Sequence, residues 1–272
     1  MEKLTTILAV VPEGCTNGVL FDKVSRLVRQ SGARIELFLT APSDYPAISA
    51  LCATQACGAE VGFTLHDSIT PLREAVLKRA AEMKADLLVA PRAQFPLDVC
   101  PIPLLLLGKT PWDKEPRFVA ALDAAEHDSE NVARGILHVA GFLAQRLVAH
   151  VDILYSEREL HDERLRMERA VRLSRLVREY HVGCERLQVY DGRPEATLPP
   201  LIAARHYDVL VVGNVPRHRV LLTEFRSVSR KLMGATEGDV LLVNPVPVPV
   251  PVPEPVAASV LSSPGQQLAH QA

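Results

Sequence analysis

Charge of either sign is not in excess in this sequence: 30 basic against 32 acidic residues leave a net charge of -2 over 272 residues. A chain so balanced has no global pull toward nucleic acid or an anionic membrane, and neither is expected as a partner. No apolar run comes near the roughly 20 residues that a membrane-crossing helix needs, so no membrane insertion is expected. The N-terminus runs from Met1-Glu-Lys-Leu-Thr-Thr straight into a short apolar stretch. It lacks the basic segment, longer apolar segment and small-residue cleavage site of an export signal, which leads to the expectation of a soluble, cytoplasmic protein.

The five cysteines, Cys15, Cys52, Cys57, Cys100 and Cys184, are odd in number and scattered. Without CxxC pairs or zinc-type Cys/His spacing, they point to free thiols and to no metal site. Also missing are the GxSxG elbow, the P-loop, HExxH, the Rossmann glycine fingerprint and a Ser-Gly-Gly-x-Asp-Ser loop. His127-Asp128 and His161-Asp162 have the chemistry for proton transfer, but no nucleophile or metal set accompanies them. They are read as surface groups, no catalytic residue is assigned, and the chain is read as non-enzymatic.

What the chain does contain is an internal repeat. Ala85-Asp-Leu-Leu-Val-Ala-Pro91 matches Tyr207-Asp-Val-Leu-Val-Val-Gly213, each an acidic residue opening an apolar strand after a helical stretch. The length suffices for two small α/β units, each with its own core. Short apolar runs alternate with stretches of helical period, the pattern of a parallel sheet covered by helices. Strands are expected at 7–11, 35–39, 61–65, 87–90 and 104–107, then at 118–122, 151–155, 187–190, 209–212 and 240–243. Helices are expected at 72–83 and 130–148, the latter capped by Asp128 or Ser129. A charged stretch at 157–178 reads as a long exposed helix.

In the second copy a helix-containing stretch separates the strand at 209–212 from Asp239-Val-Leu-Leu-Val243, whereas in the first Pro101-Ile-Pro-Leu-Leu-Leu-Leu107 follows almost at once. The first copy therefore lacks its fourth helix. The two prolines of Lys109-Thr-Pro-Trp-Asp-Lys-Glu-Pro116 mark a boundary, which Trp112 could pin to one unit. The organisation expected is a first domain at 1–109, a linker at 110–116, a second domain at 117–245 and a Pro-rich, disordered tail at 246–272. Alternate prolines hold that tail near polyproline II. A solvated tail is the default, and a partner ligand the alternative.

Ligands of such sheets sit at the carboxyl ends of the strands. There the second copy has Asp123 after its first strand, where the first copy has Pro12. After its fourth strand the second copy continues Gly213-Asn-Val-Pro216 and then, nine residues on, Arg226-Ser227-Val228. This layout resembles the nucleotide loop of the universal stress protein (UspA) family, whose pattern is Gly, two residues, Gly, nine residues, Gly, then Ser or Thr. The spacing is kept; Gly213 and Ser227 match, while Pro216 and Arg226 replace the second and third glycines. The resemblance spans about residues 1–245, including the Gly-Arg-Pro194 turn, and the tandem arrangement looks like the two-domain, E-type branch.

The resemblance implies two tandem doubly wound five-stranded α/β domains of the adenine nucleotide alpha hydrolase-like (HUP) class, packed as an intramolecular pseudo-dimer through the strands at 104–107 and 240–243. It further implies stress-related binding or adaptation, with Asp123, Val212, Gly213, Arg226, Ser227 and Val228 as the degenerate candidate nucleotide site. Glycines there would let backbone N–H groups approach phosphates; Pro216 offers no N–H and Arg226 puts a long side chain in the way. Arg217, His218, Arg219, Arg226 and Arg230 nevertheless make the loop basic, which leaves a remodelled anion site or a solvated basic face open. The main expectation is a non-catalytic adaptor with impaired ATP binding, no required cofactor, and an unidentified protein partner or small-molecule ligand. The alternative is a weak sensor of ATP or another adenine nucleotide, slowly hydrolysing, through the second domain. A further homodimer is left open.

Overall fold

In the structure, a computed structural model, residues 3–15, 18–55, 60–92, 100–122, 127–157, 162–214 and 231–245 are described. The first half runs β1 (Thr6–Val11), α1 (Gly18–Ser31), β2 (Arg34–Leu39), a short 3-10 turn (Pro42–Asp44), α2 (Tyr45–Gln55), β3 (Val61–Leu65), α3 (Leu72–Glu82), β4 (Leu87–Pro91) and β5 (Leu104–Leu107). The second repeats the order with β6 (Arg117–Leu122), α4 (His127–Leu147), β7 (His150–Glu157), α5 (Glu163–Glu179), β8 (Cys184–Asp191), α6 (Pro194–Ala203), β9 (Val209–Gly213) and β10 (Asp239–Val243).

All ten strands join one sheet, ordered β3-β2-β1-β4-β5-β10-β9-β6-β7-β8. Each half is therefore the same doubly wound unit, and the halves mirror one another across the centre. Neighbours within a half are parallel. At the centre β5 and β10 pair antiparallel, with Val240 opposite Leu106 and Leu242 opposite Leu104. The central strands β1, β4, β5, β9 and β10 are nearly continuous apolar runs because both faces are covered, whereas the edge strands β3 and β8 are part-exposed and β8 carries Glu185, Arg186 and Gln188. On one face α1, α4 and α5 pack over alternate residues such as Ile7, Ala9, Val209 and Val211. On the other, α3 and α6 cover Leu8, Val10, Leu210 and Val212.

The duplicated acid has one job in both halves. Asp86 accepts hydrogen bonds from Thr5 N at 2.7 Å and Thr6 N at 3.0 Å, and Asp208 accepts one from Arg117 N at 2.8 Å. Each carboxylate thus ties the start of its half's fourth strand to the start of its first, satisfying donors that the ladder leaves open. The second half spends residues 214–238 between β9 and β10, including a helical turn at 231–234, whereas only residues 92–103 separate β4 from β5. Among the described residues of that shorter connection none is helical.

β3 and β5 have the bounds expected of them, β8 begins three residues earlier, and the other strands extend one or two residues past the apolar runs, because sheet pairing continues where hydropathy stops. Helix α4 begins at His127, so Asp128 and Ser129 lie within its first turn and neither is the cap expected there. Helix α5 starts at Glu163, later than the 157 expected, since β7 runs to Glu157, and it is capped by Asp162, whose side chain accepts from Arg164 N at 2.8 Å. That bond gives Asp162 a structural role, and His161 lies outside the described residues. The tail at 246–272 also lies outside them.

Candidate functional site

In a doubly wound sheet the ligand crevice opens where the strand order reverses. In the second half that is between β6 and β9, paired in register from Phe118 opposite Val209 to Ala120 opposite Val211. The candidates Val212 and Gly213 end β9 at this point. Asp123 follows Leu122, the last residue of β6, but Asp123, Arg226, Ser227 and Val228 lie outside the described residues. The basic cluster from Arg217 to Arg230 and Pro216 lie outside them too.

Val212 is 1% exposed, its side chain packed on the α6 face. Only its backbone is left for a ligand. Gly213 faces the other way, against α4. A Cβ at this position would stand 2.3 Å from Val132 Cγ1, well inside contact distance. The glycine expected to admit a phosphate is therefore needed, first of all, to let the opening of α4 close on the end of β9. Spacing alone could not reveal this, since Val132 is far away in sequence.

The residue after each of these strand ends ties the two halves together, which motif reasoning missed. After β4, Arg92 sends its guanidinium across to the second half, where Nη1 donates to Thr236 O at 2.7 Å and Gly238 O at 3.1 Å and Nη2 donates to Met233 O. Burial lowers the Arg92 pKa, and the Asp239 charge works against that. After β9, Asn214 Nδ2 donates to Cys100 O at 3.4 Å and to Asn244 Oδ1 at 3.1 Å. Asn244 Nδ2 in turn donates to Cys100 O at 3.0 Å. The backbone N–H groups of Arg92 and Asn214 bond to Leu107 O and Val243 O, so the two positions are equivalent in the repeat.

Beside the Arg92 tie, at the start of β10, lies a buried polar knot. Lys23 on α1 reaches Asp239 at the start of β10, and Gly108 N donates to Asp239 Oδ1 at 2.6 Å. The indole Nε1 of Trp112 donates to Asp239 Oδ2 at 2.7 Å. Lys23 Nζ also lies 5.6 Å from the centre of the Trp112 ring, within cation–π range. Trp112 is thus a packed structural residue that meets both halves, through Asp239 and Lys23.

The first half has the same strand reversal, between β1 and β4. Its β1 ends in a turn closed by Cys15 N donating to Pro12 O at 3.1 Å, and Gly14 N donates to Asp44 Oδ2 at 2.8 Å. Gly14 takes φ +68°, which glycine adopts without strain. Pro91 stands where Gly213 stands in the second half. Among the described residues no group of three or more His, Cys, Asp or Glu could hold a metal ion. Among those residues, too, no helix is long and apolar enough to cross a membrane.

Neither a family model nor a curated protein matches this chain. Solved structures do. A Pseudomonas aeruginosa UCBPP-PA14 protein, described by its crystal structure as a universal stress protein, superposes with a TM-score of 0.73 at 16% identity, over 89% of this chain and 94% of that one. A universal stress protein of Archaeoglobus fulgidus gives 0.58 at 11% identity, over 89% and 97%. The cytoplasmic domain of a prokaryotic cation chloride cotransporter gives 0.60 at 12% identity, over 88% and 95%. The fold is therefore that of universal stress proteins along nearly the whole chain, and a transporter domain shares it. At such identities the likeness fixes architecture and leaves activity to the residues themselves.

Proposed function

We propose that the chain is a tandem universal stress protein acting as a non-catalytic binding scaffold in stress adaptation, with impaired ATP binding and no required cofactor. The observation that carries this reading is the paired tie at Arg92 and Asn214. Both positions at which a phosphate loop would leave its strand are committed to holding the halves together. Gly213 adds to it, because its missing side chain is already used by Val132. On this reading the working surface is the outside of a fused pair of domains, and what it binds is a protein partner or a small ligand in the cytoplasm.

One observation favours a second reading, a weak adenine-nucleotide sensor in the second half. The β6/β9 crevice keeps the strand reversal at which this fold class takes ligands, and α4 opens beside it, so that helix N–H groups are at hand for an anion. Asp123, Val212, Gly213, Arg226, Ser227 and Val228 would then serve the nucleotide.

Native mass spectrometry of the whole chain, alone and with millimolar ATP, separates the two. The scaffold reading expects no nucleotide adduct. An ATP adduct that is lost in Asp123→Ala overturns it in favour of the sensor, and hydrolysis measured on the same pair of proteins shows whether turnover accompanies binding.

A further inference from the structure

Toward the outer edge of the second half one histidine is set between two carboxylates. His150 opens β7, where its Nε2 lies 3.1 Å from Glu115 Oε2 and its Nδ1 lies 2.5 Å from Glu185 Oε1. Glu115 belongs to the connection that leads into β6 and Glu185 to the edge strand β8, so three separate segments meet at one ring. A neutral imidazole carries a single N–H and can donate to only one of the acids, which leaves its lone pair turned toward an oxygen of the other. The imidazolium donates to both. The arrangement is satisfied only with the ring charged, and the two acids raise its pKa, first through the hydrogen bond to Glu115 and then through the charge of Glu185.

The backbone of β8 brings Glu185 to this place. Val151 pairs with Cys184 and Asp152 with Arg186, so Glu185 is the extra residue of a bulge, a feature that re-aims a side chain. The matching pair in the first half, β2 with β3, runs without a break from Ile35 opposite Val61 to Leu39 opposite Leu65. There the residue equivalent to His150 is Arg34, which stands opposite Thr6 as His150 stands opposite Arg117. Arg34 keeps its charge at every ordinary pH and donates to Thr6 Oγ1 at 3.2 Å and Met83 O at 3.4 Å. One half thus starts this strand with a fixed charge and the other with a titratable one.

Charged groups on the neighbouring elements are turned to other partners. Arg117 lies 5.2 Å from the centre of the Tyr207 ring and 3.9 Å from Asp152, which accepts from the Tyr207 hydroxyl at 2.8 Å. On α4, Arg146 lies over the Phe142 ring at 5.5 Å. Lys114 and Arg186, adjacent in sequence to the two acids, are exposed. From α1, Arg26 donates to Asp113 O at 2.6 Å and to Lys114 O. With His150 N donating to Pro116 O at 3.0 Å, these bonds hold the connection in place whatever the state of the imidazole. β8, by contrast, is the last strand of the sheet, and its start has a neighbouring strand on one side only.

We propose that Glu115, His150 and Glu185 form a proton-operated clasp, which fastens the start of β8 to β7 while the imidazole is doubly protonated and releases it when a proton leaves. A histidine whose folded-state pKa is raised contributes stability that is complete below about pH 6.5 and is lost as pH rises through the folded-state value. The clasp therefore closes on acidification and opens on the alkaline side, at the outer edge of the sheet and away from the β5/β10 seam.

Hydrogen exchange of the full chain, followed from about pH 5.5 to about pH 8.5, tests this around the ordinary histidine range. Protection factors, which remove the intrinsic pH dependence of exchange, are expected to fall about two- to fivefold over residues 184–187 as pH rises, the scale of exposed ion pairs. His150→Gln and Glu185→Gln are each expected to be less protected at the acid end and to lose the fall. In proton NMR the His150 ring, identified by its absence from His150→Gln, is expected to titrate above about 6.5 and to move down in Glu115→Gln and in Glu185→Gln. The three side chains are between 43% and 57% exposed, so these substitutions leave the fold intact, which circular dichroism checks. A ring that titrates at or below the ordinary value, or protection of 184–187 that falls with pH as much in His150→Gln as in the parent, overturns the proposal.

Discussion

Lys23 Nζ and Asp239 Oδ1 stand 2.7 Å apart with their side chains 2% and 1% exposed, joining the first helix of one half to the last strand of the other. Burial pushes the Asp239 carboxyl up, while Lys23, Gly108 N and the Trp112 indole pull the other way by favouring the ionised form. Taking away one member of such a pair strands the other charge in the interior. Lys23→Met is expected to lower unfolding stability by about 3–5 kcal/mol in urea titrations. Lys23→Met combined with Asp239→Asn is expected to lose clearly less, because no buried charge is left alone. Equal losses in the single and double variants would show that the pair is not coupled.

Gly213→Ala tests the packing reading of the candidate site. The new Cβ meets Val132 Cγ1 at 2.3 Å and has Ile136 Cδ1 at 3.7 Å, so α4 or the end of β9 must move. The expected loss is about 1–3 kcal/mol. Adding Val132→Ala should recover most of it, a coupling that a double-mutant cycle reads directly. If Val132→Ala gives no relief, the glycine is retained for some reason other than this contact.

A pH-dependent contribution is expected from Glu36 on β2. Burial by itself would raise its carboxyl, but Arg79 Nε on α3 at 2.5 Å and the Thr64 hydroxyl on β3 outweigh that and hold it below the ordinary glutamate range. Since the folded carboxyl releases its proton at lower pH than the unfolded one, the stability contributed is complete above about pH 4. It is lost as pH falls through the folded-state value. Glu36→Gln should therefore be less stable than the parent near neutrality and show a flatter acid limb in thermal melts run from neutral to acid pH. Parallel curves for the two proteins would remove Glu36 from the acid response.

How much of this could be read from the residues depends on whether the cause is local. The central strands are visible as short apolar runs, because a strand covered on both faces needs no polar alternation, while the edge strand β8 shows only its apolar middle and its polar start at Cys184 is legible only from pairing with β7. The repeat was visible through Asp86 and Asp208, which occupy one structural position twice. Asp128 and Ser129 lie inside the first turn of α4 and not at its cap, a position that Ser and Asp also occupy freely. The candidate site was legible only as spacing. What occupies Gly213's empty side, and what Arg92 and Asn214 hold, depends on tertiary neighbours. Backbone carbonyls such as those of Cys100, Met233 and Thr236 accept bonds whatever their side chains are, and so leave no trace in a sequence.

The central pairing of β5 with β10 also sets an order of events during synthesis. β5 is made before the second half exists, and its partner is the last strand of the sheet to be made. Until Asp239–Val243 has left the ribosome, the nascent first half carries Leu104–Leu107 as a bare, wholly apolar edge. The closing contact spans more than a hundred residues, the kind of long-range step that folds slowly and exposes a chain to mispairing. A message truncated anywhere before β10 would therefore yield a product with a sticky seam, and the fused architecture makes completion of translation itself the condition for a covered surface.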